Sequence, residues 1–138
     1  MAHSKMYVPK KDEEYISPFG PSMGYMKLSP DFVKKMNTLM KMELEDFSDQ
    51  LVGKVTQELA FNKQIEALWM EEVSAFIARF HSYSEQRNSF GVKNLDASKY
   101  TYGIKINSGW FVRQYEHEYN PIHLHIGSSM SCVGYLAL

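Results

Sequence analysis

The hydrophobic periodicity of the chain changes once along its length, close to Tyr100. Between Lys63 and His81 the apolar residues recur every three or four positions and fall on one face, which is typical of an amphipathic helix. After Tyr100, apolar and polar residues alternate, most clearly from Trp110 to Tyr115, and this period of two is typical of a half-buried strand. Helices first and antiparallel strands second indicate the α+β class.

The length of 138 residues leaves room for a single domain, and turn signals divide it into three regions. Residues 1–28 are rich in Pro and Gly and are predicted to be an irregular arm. Residues 29–98 are predicted to be mainly helical, including a short helical stretch from Lys54 to Leu59 and a polar loop from Ser82 to Ser98. Residues 99–138 are predicted to form β-strands.

Charge composition narrows the classes of partner. The 15 basic residues nearly balance the 16 acidic ones, so bulk electrostatics gives no support for nucleic acid or an acidic membrane as a partner. The beginning of the chain has no apolar run of the signal-peptide type, and Cys132 is the only cysteine, so a cytoplasmic protein without an internal disulfide is expected. The twenty residues after Glu118 carry no charged side chain, which predicts strands buried within a sheet.

The residues most able to carry chemistry are His123 and His125. On a strand, side chains two positions apart point to the same face, so both imidazoles would project together. Two neutral imidazoles in a segment poor in charge can bind a divalent metal ion. The spacing alone also fits two half-buried histidines that are hydrogen-bonded to the backbone, and it does not choose between the two readings.

Three segments in this order resemble a known family: Ser108 to Tyr115 (SGWFVRQY), Asn120 to His125 (NPIHLH) and Ser131 to Leu136 (SCVGYL). They are similar to the 2-oxoglutarate/Fe(II)-dependent oxygenases of the small prolyl-hydroxylase-like type, found in marine bacteria and phages. In that family a tryptophan-led strand precedes a Pro-x-His-x-His strand, and a Ser-x-Val-x-Tyr-Leu strand follows.

The resemblance implies N-terminal helices packed on a partial double-stranded β-helix, the jelly-roll or cupin-like fold, which holds one Fe(II) ion. It also implies 2-oxoglutarate as a small-molecule cosubstrate and a hydroxylase activity. His123 matches the first iron ligand of the family, and His125 stands where the family usually has a carboxylate. Tyr115, on the preceding strand, is expected to contact the cosubstrate.

The chain departs from the family pattern after His125. The family expects a distal histidine and an arginine for the cosubstrate further along, and the thirteen residues that follow His125 contain neither. We therefore expect the chain to be the N-terminal part of an oxygenase domain, with a complementing polypeptide or a second copy covering its C-terminal strand. His117 is a further candidate for the third ligand.

Two other hypotheses are compatible with these residues. The chain can be a non-catalytic structural or interaction protein that retains the β-scaffold, because the missing arginine and histidine argue against activity. It can also be a simple cupin-like metal binder that uses no cosubstrate.

Overall fold

The computed structural model describes residues 10–17, 21–50, 53–88 and 103–136. It is a mixed α+β structure in which two helices accompany two small antiparallel sheets of two strands each. The α+β class is therefore confirmed, whereas the double-stranded β-helix stays a prediction. The chain divides into two compact units, Met1–Lys27 with Glu72–Ile104 and Leu28–Glu71 with Lys105–Leu138.

The first unit contains a β-hairpin. Strand β1 (Glu13–Ile16) pairs antiparallel with β2 (Met23–Met26), and Glu13 lies opposite Met26. The prediction of an irregular arm over residues 1–28 was therefore wrong for this stretch. Strands of four residues are too short to give a clear periodic signal in the sequence.

Aromatic side chains join this hairpin to helix α2 (Lys63–Asn88) within the first unit. The Tyr15 ring lies 5.1–6.0 Å from three aromatic rings of the helix, which belong to Phe76, Phe80 and Tyr83. A side chain at Gly24 would not fit, because a Cβ atom there would lie 2.8 Å from the Phe80 ring. Arg79 forms a two-pronged ion pair with Glu13 across the same contact.

Helix α2 is longer than its sequence pattern predicts. We expected a loop from Ser82, but the helix continues to Asn88, and the remainder of that predicted loop lies outside the described residues. No Gly or Pro interrupts this extension, and Tyr83 is held by Tyr15. His81 is therefore an internal residue of the helix.

The second unit begins with helix α1 (Pro30–Leu39). The Phe32 backbone N–H donates to Ser29 Oγ at 3.3 Å, so Ser29 caps the helix, with Pro30 in the first turn. The three- and four-residue spacing of apolar residues puts Phe32 and Met36 into the core, and Met36 is completely buried.

Strand β3 (Gln57–Ala60) pairs antiparallel with β4 (Trp110–Arg113) and completes the core of the second unit. The prediction of a short helical stretch from Lys54 to Leu59 was wrong, because a partner more than fifty residues away draws this segment into a sheet. Side chains from α1, β3, β4 and the first part of α2 form one buried cluster, made of Phe32, Met36, Leu39, Leu59, Ile65 and Phe111.

The C-terminal region differs most from expectation. Residues 99–138 were predicted to be strands, but β4 is the only strand among the described residues of that region. The segment after Glu118 that carries no charged side chain, called the uncharged tail below, is also not buried in a sheet. Its residues Ile122, Leu124 and Ile126 are 86–105% exposed. It is attached at other points, because Asn37 donates to the Leu136 carbonyl at 3.2 Å and Gly134 lies against the Trp69 ring. Within the described part of the chain, no helix is long and apolar enough to cross a membrane.

Candidate metal centre

The two histidines predicted as metal ligands lie beside each other. His123 Nε2 and His125 Nε2 are 3.2 Å apart, and the two rings meet edge to face with centroids 4.8 Å apart. Both residues are exposed, and the Trp110 ring of β4 lies 5.9 Å from that of His125. The imidazoles therefore lie together as predicted, but no strand forms at this position, so the two-residue rule for strands is not the reason.

The second ring nitrogen of His123 has a backbone partner that fixes the proton position. His123 Nδ1 lies 2.7 Å from the Pro121 carbonyl oxygen. A carbonyl oxygen only accepts hydrogen bonds, so Nδ1 carries the proton and Nε2 presents its lone pair. In the metal-free molecule, His125 Nε2–H then donates to that lone pair.

This donor set fits a divalent ion. Imidazole nitrogens are donors that divalent ions such as Zn²⁺ and Fe²⁺ accept, and the two Nε2 atoms lie 3.2 Å apart. A metal-bound histidine typically donates its other N–H to a carbonyl or carboxylate, as His123 does to Pro121. Only two donors are supplied, since among the described residues no group of three or more His, Cys, Asp or Glu is placed to hold a metal ion.

The other predicted site residues lie apart from this pair. The Tyr115 side chain is 62% exposed, and among the described residues no hydrogen bond or ring contact joins it to either histidine. Its backbone N–H donates to Glu118 Oε2 at 2.9 Å, and its carbonyl accepts from the Glu118 N–H at 3.1 Å, so it begins a tight turn. The role of Tyr115 in binding a cosubstrate stays a prediction.

His117 occupies this turn and is not brought into the site. Its φ is +67°, in the left-handed region, and its side chain is 88% exposed beside the Glu116 carboxylate. This conformation interrupts the strand that would have placed His117 on one face with Tyr115 and Arg113. The described structure therefore gives His117 no position as a third ligand.

A buried carboxylate, Glu58 of β3, lies near the histidine pair. Glu58 is 3% exposed, and its pKa is raised by burial and by the charge of Asp46, while Asn120 and the charge of His123 act in the opposite direction. Sequence analysis did not single out either residue. Glu58 falls in a segment that was predicted to be helical, so neither its strand nor its burial was visible.

Comparisons of the chain with protein-family models, with curated proteins and with solved structures find no match. The resemblance to the oxygenases therefore stands on the three sequence segments alone. The geometry of His123 and His125 is an independent observation.

Proposed function

We propose that this chain is a metal-binding domain of the Fe(II)/2-oxoglutarate-dependent oxygenase type, in which His123 and His125 hold the divalent ion. The observation that carries the proposal is the 3.2 Å separation of the two Nε2 atoms, with the His123 proton held on Nδ1 by the Pro121 carbonyl. A bound iron would supply the oxidising chemistry of a hydroxylase.

The chain's own residues have separate tasks in this proposal. Pro121 orients the His123 ring through its carbonyl oxygen, and Trp110 lies against the His125 ring. When the ion binds, the proton on His125 Nε2 must leave that nitrogen, because a ligand atom has to present its lone pair. Metal binding is therefore accompanied by movement or release of a proton at His125.

The described side chains fit the metal ion better than they fit 2-oxoglutarate. The carboxylate of 2-oxoglutarate that lies away from the metal ion is best held by the two-pronged geometry of an arginine side chain. Arg113 already donates to Gln57 Oε1 at 2.8 Å and to the Met40 carbonyl at 3.3 Å, and Arg79 is paired with Glu13. Binding of 2-oxoglutarate is therefore proposed from the resemblance to the oxygenases alone.

Anaerobic titration of the protein with Fe(II), followed by 2-oxoglutarate, tests the two parts separately. We expect Fe(II) to bind with one ion per chain, as measured by calorimetry. Appearance of a visible charge-transfer band on adding 2-oxoglutarate would support the oxygenase. Metal binding without that band would favour a simple cupin-like metal binder, and no binding by the folded protein would refute the metal site.

One observation favours a second function, an interaction with another copy of this chain. Ile122, Leu124 and Ile126 form an apolar row that is almost fully exposed, on a segment with no strand partner among the described residues. The absence of charge from Tyr119 onward removes the like-charge repulsion that usually protects an exposed strand edge from pairing with itself. We propose that a second copy covers this row. Light scattering over a range of concentrations would show a dimer if this is correct and a monomer throughout if it is not.

A further inference from the structure

The segment that carries His123 and His125 is not held in place by hydrophobic packing. Its apolar side chains are exposed, with Leu124 at 86% and Ile126 at 95%. The structure describes residues 120–130 without a strand, so sheet hydrogen bonds do not hold them either. The rings of the two histidines nevertheless lie 4.8 Å apart. Their arrangement therefore depends on individual contacts that fix the segment before His123 and after His125.

Before His123, the segment is tied to the chain at Lys54. Lys54 and Tyr119 exchange two backbone hydrogen bonds, of 2.9 and 3.0 Å. Two residues further on, the Pro121 carbonyl accepts the hydrogen bond from His123 Nδ1 at 2.7 Å. The backbone ahead of the pair and the ring of His123 are therefore both fixed, and the position of His125 needs a contact of its own.

After His125, the segment is tied to Asn107. Asn107 Nδ2 donates to the Gly127 carbonyl at 3.0 Å and lies 3.5 Å from Ser128 Oγ. Gly127 has a φ of +83°, in the left-handed region that favours glycine, and the chain turns at this point. The bonded carbonyl is only two residues beyond His125, so the Asn107 side chain restricts where the backbone of His125 can lie.

Asn107 is itself close to a stretch that is anchored in the second unit. The Gly109 carbonyl accepts from the Phe61 N–H at 2.8 Å, and Gly109 lies so close to the Phe61 ring that a side chain would not fit there. Strand β4 begins at the next residue, Trp110, whose ring lies 5.9 Å from that of His125. The chain leading into β4 therefore contacts the segment twice, at the His125 ring and at the turn that follows it.

We propose that Asn107 is a positioning residue for the His123–His125 pair. By holding the Gly127 carbonyl, it keeps the His125 ring beside the Trp110 ring and within reach of His123 Nε2. In the metal-free protein this maintains the hydrogen bond between the two rings. In the metal-bound protein it keeps both Nε2 atoms directed at one ion, as a preorganised site requires. The second consequence rests on the proposed function, and the first does not.

The first consequence is tested in the metal-free protein by NMR, through the nuclear Overhauser effect between carbon-bound ring protons of His123 and His125. We expect this signal in the wild-type protein and its loss in Asn107→Ala, which removes the donor to Gly127. Asn37→Ala is the matched control, because Asn37 donates the same kind of bond to the uncharged tail, at the Leu136 carbonyl, and should keep the signal.

Three outcomes of this measurement would overturn the positioning role. The signal can persist in Asn107→Ala, which would mean that the Gly127 contact does not hold the pair. It can disappear in Asn37→Ala as well, which would mean that any loosening of the uncharged tail separates the rings. It can also be missing from the wild-type protein, in which case there is no fixed pair to position.

The second consequence is tested by calorimetric titration with Zn²⁺ alone. Asn107→Ala should weaken binding by about tenfold, the lower end of the range for residues that support metal ligands. Asn37→Ala should bind Zn²⁺ as tightly as the wild-type protein. Equal affinities of Asn107→Ala and wild type, or equal losses in the two variants, would refute this consequence. Failure of the wild-type protein to bind Zn²⁺ would instead refute the proposed function, and the NMR measurement would still decide the role of Asn107.

Discussion

His123 and His125 face each other through the same ring atom, with their Nε2 nitrogens 3.2 Å apart. Because His123 Nδ1 is bonded to the Pro121 carbonyl, the free lone pair of His123 points toward its neighbour. In the metal-free protein the pair is therefore held by a hydrogen bond between the rings, which binding of one ion by both nitrogens would break.

Removal of either histidine should abolish tight metal binding. Both His123→Ala and His125→Ala leave one nitrogen donor, and we expect each to weaken Zn²⁺ binding by more than the roughly 100-fold that supporting residues reach. Calorimetric titration measures this. His117→Ala is the control, since that exposed side chain lies in a turn beside Glu116. If His117→Ala weakens binding as strongly, the site has been assigned to the wrong residues.

Loss of the Glu13–Arg79 ion pair should destabilise the protein and do so in a pH-dependent way. Hydrogen bonds from Arg79 lower the pKa of Glu13 below its ordinary 4.5, although burial opposes the shift. The stabilisation is therefore present above pH 4.5 and is lost as the pH falls through the lowered value. Glu13→Gln should lower the free energy of unfolding by about 2 kcal/mol at pH 7, the worth of a hydrogen bond to a charged group.

Urea unfolding at pH 7 and at pH 3 measures this effect, and the difference from wild type should shrink in acid. Lys35→Gln is the control, because it removes the exposed Lys35–Asp31 pair of α1, and an exposed pair of this kind should leave the free energy of unfolding nearly unchanged. A loss from Glu13→Gln that is the same at both pH values would show that the charge of Glu13 is not its cause.

Glu58 should have the opposite dependence on pH. Burial is the largest influence on its carboxyl group and raises its pKa, so the folded protein keeps a proton that the unfolded chain releases. This contribution is fully present below the ordinary value of 4.5 and is lost as the pH rises through the raised value. Glu58→Gln should therefore raise the melting temperature at pH 7, measured with a chelator present, and the gain should disappear below pH 4. A lower melting temperature at pH 7 would contradict this explanation.

A charge placed in the exposed apolar row should prevent self-association. Leu124 is 86% exposed and lies between Ile122 and Ile126. Leu124→Asp should therefore reduce the dimer fraction seen by light scattering at least tenfold, because it would desolvate two carboxylates at the contact between copies. Ser129→Asp adds the same charge on an exposed residue outside the row and should leave the dimer intact. Equal effects of the two variants would mean that net charge, not the row, controls association.

The sequence predicts the helices better than the sheets, and the reason is the range of the interactions involved. The Ser29 cap and the apolar spacing of α1 are local signals, and both match the structure. The strand at Gln57–Ala60 depends on Trp110–Arg113, which no local pattern around residue 57 reveals. The uncharged tail was misread because low charge was equated with burial, whereas Ile122 and Leu124 face outward.

The candidate site was predictable to a similar extent. His123 and His125 were singled out by their two-residue spacing and do lie side by side, but not on the strand from which that was predicted. The surroundings of the pair were not visible, because Gly53 lies against Asn120 from more than sixty positions away, and the burial of Glu58 depends on its strand. Their arrangement requires a fold that the sequence pattern around each residue does not specify.

Each of the two compact units is built from two separate stretches of the chain, and this limits where the backbone can be cleaved or truncated. Each compact unit is assembled from two stretches that are separated by part of the other, so Glu13 of the hairpin reaches Arg79 only after the whole first stretch of the second unit has been traversed. A ribosome therefore has to release α2 before the hairpin gains its aromatic and ionic contacts. A single break in the backbone between residues 28 and 104 divides at least one of the units, so truncated versions that end within this range are expected to lose cooperative unfolding.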